Sequence, residues 1–265
     1  MDESETAFTQ MEFAVEMTSQ NCVRVIDDCL QQVQGIKEYN INLQDEQVTL
    51  ITNIPSGKIQ QILEETGRKV ILRGQGGTQL ADGFANHIGA AVSIVSGENN
   101  IQGVIRYVQV DKDRCIIDGT IDGLAPGLHG LHIHELGDLS DGCNSVGNIY
   151  NPQNENHGGP NIKKKHVGDL GNINADTRKR AQFRLQSHDI KVWDVTGRSV
   201  VITEKEDDLE GGDLQSKIDG NSGKRLACGI IARSAGLFQN RKKICACTGM
   251  TLWEERELET NKTSA

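Results

Sequence analysis

The sequence predicts an α+β protein with two domains and a C-terminal tail. Residues 12–73 alternate between strand and helix patterns, whereas residues 90–233 are a series of short β runs separated by Gly, Asn, Asp and Pro clusters. A chain of 265 residues is long enough for two compact domains, since one domain takes about 100 to 200 residues. We therefore expect domains at 1–73 and 74–234 and a tail at 235–265.

The first domain follows the order βαββαβ, which is the ferredoxin-like arrangement. Its first helix has apolar residues at helical spacing from Cys22 to Val33, and its second lies between Pro55 and Gly67. The strands are expected at 12–17, 36–43, 47–52 and 69–73. The glycine-rich stretch at 74–77 is then expected to begin a linker.

The second domain is expected to be an antiparallel β sandwich or barrel. Strands are predicted near 91–95, 103–110 and 115–121, with turn residues between them. Two long loops, at 135–168 and 203–224, interrupt this pattern. Loops of that length inside a compact domain are usually functional or organised by a metal.

Composition restricts the partners and the compartment. The net charge is −9 and the isoelectric point is about 5.3, so nucleic acid is not an expected partner, despite a basic run at 163–166. The start is acidic and no stretch approaches ~18 apolar residues, so we expect a cytoplasmic protein without a membrane span. Its seven cysteines lack the spacing of secreted scaffolds, which fits a reducing compartment.

Two tail thiols, Cys245 and Cys247, are the most informative single feature. Thiolates separated by one residue can point the same way and select Cu(I) or Zn over hard cations. An exposed free cysteine is rarely kept without use. The pair therefore indicates a metal-carrying or disulfide-exchanging arm, against the alternative of an incidental surface tail.

A second group of candidate ligands lies in the β domain. His132 and His134 alternate on one face of a predicted strand, so their rings can converge on one metal. His157, His166 and Asp169 have ligand types and spacings suited to a loop-bound zinc. A single histidine is more often a surface or hydrogen-bonded residue, and His129 and His87 are interpreted in that way.

Four motifs resemble the Cu/Zn superoxide dismutases, and together they cover residues 90–233. They are Gly127–Asp138, His157–Pro160, His166–Asn172 and Arg225–Gly229. The resemblance implies an immunoglobulin-like Greek-key β-sandwich or barrel of that type. With the first domain and the Cys-x-Cys tail, the whole chain resembles the family of copper chaperones for superoxide dismutase.

This resemblance also implies partners and residue roles. It implies a non-enzymatic protein that docks onto a Cu/Zn superoxide dismutase subunit as a heterodimer, delivers Cu(I) and promotes the client's intrasubunit disulfide. A homodimer is expected in the client's absence, with 229–233 at the edge of the interface. Asp207 would orient His132 and His157, and Cys143 and Cys228 would form a disulfide. Arg225 matches an arginine that guides anionic substrate and is expected to be structural here.

Departures from the family pattern limit what the β domain is expected to do. Ile149 stands where the dismutases have the metal-bridging histidine, and Thr203 aligns with another copper histidine. His132 and His134 are therefore a remnant copper site without redox function. Zinc would keep only three protein ligands, His157, His166 and Asp169, so partial or absent zinc is expected.

The first domain departs from its family as well. Copper metallochaperone domains of this shape carry Met-x-Cys-x-x-Cys, but here Ser19 replaces the first thiol. A hydroxyl is a poor Cu(I) ligand, so the predicted copper ligands are Cys22, Cys245 and Cys247. Cys29 is predicted to pack in the core, and Cys115 to be inert within an apolar strand.

Two other functions remain open from the sequence. One is a superoxide dismutase with an atypical metal site, against which Ile149 and Thr203 argue because neither can replace an imidazole. The other is a metal-free interaction scaffold that keeps the dismutase-like fold for dimerisation only. Cu(I) binding by the tail separates that scaffold from a chaperone.

Overall fold

The computed structural model describes residues 7–78, 89–209, 213–238 and Trp253. These residues form two compact units. One unit contains residues 8–78 together with 235–238, and the other contains the β domain up to Ser234. The boundaries expected from the sequence, at 73/74 and 234/235, stay a prediction.

The N-terminal unit is a four-stranded antiparallel sheet with two helices, in the order β2-β3-β1-β4. Met11, Phe13 and Val15, at alternate positions of the first strand, lie in a core with Ile26 and Leu30 of the first helix. The βαββαβ prediction is confirmed. The elements are β1 (Thr9–Val15), α1 (Gln20–Leu30), β2 (Ile36–Asn42), β3 (Gln47–Thr52), α2 (Ser56–Glu64) and β4 (Val70–Gly77).

The last strand of this sheet is longer than the sequence predicts. Gly74 pairs with Glu12 and Gly76 pairs with Gln10, so the glycine-rich stretch is strand β4. The prediction of a linker at 74–77 is therefore wrong. Glycine normally weakens a strand, but it is tolerated where another backbone approaches closely, as it does here.

The β domain is a closed antiparallel barrel, as predicted, in the strand order β10-β7-β6-β5-β12-β11-β8-β9. Strand β12 pairs with β5, so the last strand of the barrel closes on the first. Two short helices are present, α3 (Val192–Val195) and α4 (Ser216–Asp219). The strands are β5 (Ala90–Gly97), β6 (Gln102–Gln109), β7 (Cys115–Asp122), β8 (Gly127–His134), β9 (Asp169–Ala175), β10 (Arg180–Ser187), β11 (Ser199–Thr203) and β12 (Arg225–Arg233).

One apolar core fills the barrel, with Tyr107, Ile105 and Ile117 fully buried within it. Both long loops fall where the sequence predicts them, between β8 and β9 and between β11 and β12. The two loops contact each other at His157, whose backbone N–H donates to the carbonyl of Lys217. None of the helices in the described ranges is long and apolar enough to cross a membrane.

Candidate metal centre and reactive thiols

Strand β8 carries three buried histidines with different partners. The ring nitrogens of His129 lie 2.8 Å from the carbonyl oxygens of Thr203 and Ala125, so this side chain ties strands and turns together. The interpretation of His129 as a hydrogen-bonded histidine agrees with these contacts. His132 and His134 follow at the next two alternate positions, with ring centroids 6.5 Å apart.

A single carboxylate joins the two long loops to β8. Asp207 accepts a hydrogen bond from His132 Nε2 at 2.9 Å and another from His157 Nε2 at 2.8 Å. Asn172 holds this aspartate in place, since its side chain bonds the backbone N–H and carbonyl of Asp207. The arrangement has the geometry that the resemblance implies for Asp207, and it fixes both rings in orientation.

The other nitrogen of His157 points to a second cluster. His157 Nδ1 lies 2.9 Å from Asp169 Oδ1, and His166 Nδ1 lies 3.4 Å from the same oxygen. All three atoms are buried, yet none has a hydrogen-bond partner of acceptable geometry among the described residues. Buried polar atoms are nearly always satisfied, so three unsatisfied atoms facing one another point to a missing ligand.

These atoms fit a zinc ion. Two imidazole nitrogens and one carboxylate oxygen are the donor types that zinc takes, and all three lie within 4.8 Å of one another. Ile149 occupies the position of the fourth ligand in the dismutases and carries no donor atom. The cluster therefore offers three protein ligands and leaves the fourth position to water or another donor.

Contacts between the buried histidines and carboxylates shift the pKa values of His157 and Asp207 in opposite directions. Burial alone would lower the pKa of His157, but contacts with Asp169 and Asp207 raise it to about 10. Burial would likewise raise the pKa of Asp207, yet its bonds to His132 and His157 hold it well below its usual range. A raised pKa favours the protonated form of His157, and binding of zinc at Nδ1 would have to displace a proton.

In the remnant copper site, His134 has different surroundings from those of His157 in the zinc cluster. His134 Nδ1 lies 3.0 Å from the carbonyl of Gly147, and burial lowers the pKa of His134 to about 3. Thr203 turns its hydroxyl to the carbonyl of Gly130. Among the described residues, His134 belongs to no group of three close ligand atoms. A neutral imidazole in this position has no convergent partners for a copper ion.

Lys165 is a contributor that sequence reasoning missed. Its side chain is 5% exposed, and Nζ lies 3.3 Å from the carbonyl of His166 and 3.4 Å from that of Asp169. Asp189 pairs with it at 3.1 Å. Lys165 therefore anchors the backbone of two candidate zinc ligands. The sequence showed only a run of basic residues, which is typical of a solvated surface.

The predicted disulfide is present between Cys143 and Cys228. It fastens the first long loop to β12 and packs with Val146 and Val201. Arg225 reinforces the same loop, because its guanidinium donates to the carbonyls of Cys143 and Gly147 at 2.9 Å each. These contacts agree with the structural role expected for Arg225.

Cys22 lies at the start of α1, where it is buried with the apolar core of the first domain and also contacts the hydroxyl groups of Thr18 and Ser19. Ser19 is the N-cap residue, but its hydroxyl lies 3.4 Å from Cys22 Sγ and makes no capping bond to the helix backbone. That hydroxyl, with the backbone of Thr18, lowers the pKa of the Cys22 thiol to about 6. A pKa lowered in this way favours the thiolate form of Cys22, as is typical of a thiol at a helix N-terminus.

The other two free cysteines among the described residues have raised pKa values, in contrast to Cys22. Cys115 is buried in the barrel, and burial raises its pKa to about 12, in agreement with the expected inert role. Cys29 is half-buried and does not belong to the apolar core, so the prediction that it packs there is wrong; its thiol lies 3.6 Å from the carbonyl oxygen of Ile62. The predicted tail ligands Cys245 and Cys247 lie outside the described residues, as does His87.

Comparison with known proteins agrees with this architecture. A heavy-metal-associated domain model matches residues 12–69, and a copper/zinc superoxide dismutase model matches residues 101–231. The chain is 54% identical over 247 residues to the human "Copper chaperone for superoxide dismutase", which covers 93% of this chain and 88% of the human protein. It is 35% identical to the chloroplastic protein of that name in rice, over 92% of this chain and 70% of the relative.

Similarity to the dismutases themselves covers about half of the chain. A Cu-Zn superoxide dismutase of Xenopus laevis is 45% identical over 145 residues, which is 53% of this chain and 95% of that protein. The human and rice relatives, which match more than nine-tenths of this chain, are both named copper chaperones for superoxide dismutase. The chain belongs to the family of copper chaperones for superoxide dismutase.

Proposed function

We propose that the protein is a non-enzymatic copper chaperone that docks onto a Cu/Zn superoxide dismutase subunit, delivers Cu(I) and promotes the client's intrasubunit disulfide. The docked form is a heterodimer made through a dismutase-like face that includes residues 229–233, and the protein forms a homodimer through this face when the client is absent. Family membership supports the client class, and the ligand chemistry supports the cargo.

The observation that carries this proposal is that the barrel retains the dismutase fold but lacks histidine at two metal-ligand positions. It keeps the fold of a dismutase, the Asp207 bridge and the disulfide, but Ile149 and Thr203 stand at two ligand positions. The two remaining histidines cannot cycle copper between oxidation states without further ligands. A barrel of this kind serves recognition, and the cargo is carried elsewhere.

Thiolates carry the Cu(I). Cys22, Cys245 and Cys247 are the ligands, because soft sulfur donors hold Cu(I) and exchange it readily with another thiolate pair. Cys22 meets this requirement through its low pKa of about 6. Zinc has a separate and structural role when it is bound, with His157, His166 and Asp169 joining the first long loop to the barrel.

Disulfide formation uses the tail pair in its oxidised form. A client thiolate attacks one sulfur of a Cys245–Cys247 disulfide, forming a mixed disulfide and releasing the other tail thiolate. The second client thiolate then displaces the tail. Two electrons pass from the client to the tail, whose dithiol is returned to the disulfide by an external oxidant such as O2.

We place the protein in the cytoplasm as part of this proposal. The free thiols of Cys22, Cys29 and Cys115 fit a reducing compartment. The name of the Arabidopsis thaliana relative gives both chloroplastic and cytosolic locations.

The deciding experiment measures activation of a copper-free, disulfide-reduced Cu/Zn superoxide dismutase by the copper-loaded chaperone. We expect Cys245→Ser with Cys247→Ser to abolish activation while folding and client binding stay intact, because a hydroxyl neither binds Cu(I) nor exchanges with a disulfide. Cys29→Ser is the matched control and should activate normally. Full activation by the double variant would contradict the tail mechanism.

The enzyme alternative is tested on the same preparation. Copper-loaded protein alone should show no appreciable dismutation of superoxide, since two ligand positions are filled by Ile149 and Thr203. Ile149→His with Thr203→His should increase copper retention in the barrel. Activity per copper equal to that of an ordinary Cu/Zn dismutase would support the enzyme instead.

A further inference from the structure

The basic run in the first long loop lines a cavity on the β domain. The volume of this cavity is about 270 Å³. Pockets for drug-sized ligands usually measure about 300 to 1,000 Å³, so this one suits a smaller ligand. The side chains that line it are those of Gln153, Glu155, Lys163, Lys164, Lys165, Val167 and Asp189. The candidate zinc ligands are not among these residues.

Hydrogen bonds and an ion pair fix two walls of the cavity. On one wall, the side chain of Asn151 donates to the carbonyl of Glu155 at 2.8 Å and accepts from its backbone N–H at 3.0 Å. On the other wall, the side chain of Lys165 is only 5% exposed and pairs with Asp189 at 3.1 Å. The cavity is therefore formed before any ligand enters, which lowers the entropy cost of binding.

Lys163 and Lys164 are exposed and have no such partners. Within the part of the chain that the structure describes, neither ammonium group forms an ion pair or a hydrogen bond. The backbone bends through residues 163–165, and its N–H groups there make no hydrogen bond to another described residue. Successive backbone N–H groups in a bend can form a concave site for an anion. This bend adds two free ammonium groups to such a site.

The charges of the lining also favour an anion. Asp189 is paired with Lys165, which leaves the ammonium groups of Lys163 and Lys164 with the single carboxylate of Glu155. This local excess of positive charge contrasts with the net charge of −9 of the whole chain. An oxyanion with two negative charges can pair with both lysines. The charge-assisted hydrogen bonds that it accepts are about twice as strong as neutral ones.

We propose that Lys163 and Lys164, with the backbone of residues 163–165, bind a doubly charged oxyanion, either free phosphate or the phosphate group of a small phosphomonoester. Lys165 holds the bend in place through Asp189 and is not itself a ligand of the anion. Glu155 limits the affinity, because its carboxylate lies in the same cavity and repels an anion. The site is distinct from the copper and zinc ligands of the proposed function.

The test is isothermal titration calorimetry of the full-length protein with inorganic phosphate at low ionic strength. The protein is first freed of metal with a chelator, so that phosphate cannot bind a metal ion. Lys163→Gln with Lys164→Gln should weaken binding about tenfold, because both free ammonium groups are lost. The matched control, Lys112→Gln with Lys179→Gln, removes the same charge from exposed lysines outside the cavity and should leave the affinity nearly unchanged.

Glu155→Gln should act in the opposite direction. It removes a negative charge but keeps the shape of the side chain, so phosphate should bind about threefold more tightly. A gain in affinity cannot result from unfolding, and circular dichroism checks the fold of the lysine variant.

A parallel titration with AMP identifies the source of the oxyanion. Tighter binding of AMP than of phosphate would assign the site to a phosphomonoester, and the reverse order would assign it to free phosphate. Equal phosphate affinity in the unmodified protein and in the folded Lys163→Gln, Lys164→Gln variant would overturn the proposal. The absence of binding at millimolar concentrations of both ligands would overturn it as well.

Discussion

The two domains have each lost metal ligands, but with opposite chemical results. In the first domain, Ser19 replaces a thiol and leaves Cys22 as a thiolate with a pKa of about 6. In the barrel, Ile149 and Thr203 replace imidazoles, and His134 stays neutral because burial lowers its pKa to about 3. Cys22 and His134 are both buried, but the pKa shift of Cys22 favours its charged form, whereas that of His134 favours its neutral form.

The difference comes from what surrounds the lost ligand. Cys22 is at a helix N-terminus beside hydroxyl groups, which stabilise a negative charge. In the barrel, burial lowers the pKa of His134, whereas contacts with Asp169 and Asp207 raise that of His157. Under the proposed function, the barrel is therefore a scaffold, and the first domain keeps a soft-metal ligand in Cys22.

The largest expected effect concerns the disulfide that braces this scaffold. Cys143→Ala with Cys228→Ala removes a cross-link across 85 residues and should lower the free energy of unfolding by about 4.5 kcal/mol in the loop-entropy picture. Urea denaturation of the barrel measures the change. Chemical reduction of the unmodified protein should produce a similar loss, and Cys29→Ala should not. A small loss in both cases would mean that the loop is held chiefly by Arg225.

The second largest loss of stability is expected when the Asp207 carboxylate, which bridges His132 and His157, is removed. Asp207→Ala should cost about 3 kcal/mol in metal-free protein, because it leaves buried His132 and His157 without their shared partner. A raised His157 pKa stabilises the fold fully below pH 6.5, and this contribution is lost as the pH rises toward about 10. Unfolding with a chelator present should therefore show stability falling over that interval. Asp207→Asn should flatten the dependence, and an unchanged slope would contradict the assignment.

The buried lysine should have a smaller effect. Lys165→Met keeps the aliphatic volume but leaves the carbonyls of His166 and Asp169 without their ammonium partner, at an expected cost of about 1 to 2 kcal/mol. Zinc affinity, measured by competition with a chromophoric chelator, should fall as well. Lys164→Met, at an exposed neighbour, is the control. Equal zinc affinity in the two variants would limit Lys165 to general stability.

The smallest effect on stability, and the clearest on chemistry, is expected at Ser19. Ser19→Ala removes the main hydrogen bond to Cys22 and should move the thiol pKa from about 6 toward its ordinary value of 9.0. The pH profile of Cys22 alkylation by iodoacetamide measures this pKa. Thermal stability should hardly change. Ser19→Cys should instead tighten Cu(I) binding against a chelator, and equal affinity would argue against Cys22 as a ligand.

The sequence predicted the parts of the site that follow a regular pattern. His132 and His134 were found because strand alternation places them on one face, and the resemblance located Asp207, Cys143 and Cys228. The order of elements in the first domain followed from helical and strand periodicity. Patterns of this kind are local, or they are shared with a family.

The sequence did not predict features that depend on distant packing. Lys165 was grouped with a solvated basic run, because nothing local shows that Asp189 and two carbonyls enclose it. The strand at Gly74 and Gly76 was mistaken for a linker, since its glycines are explained only by a segment more than 150 residues later. Contacts between such distant positions leave no period in the sequence.

The pairing of β5 with β12 affects how the protein folds during its synthesis on the ribosome. The first domain has its four strands by Gly77 and can fold while the rest is being made. The barrel cannot close until β12, which also carries Cys228, has emerged. Until then β5 and β11 each expose an unpaired edge. The barrel is thus the slow and aggregation-prone half of the nascent chain, and its folding is completed only with its last strand.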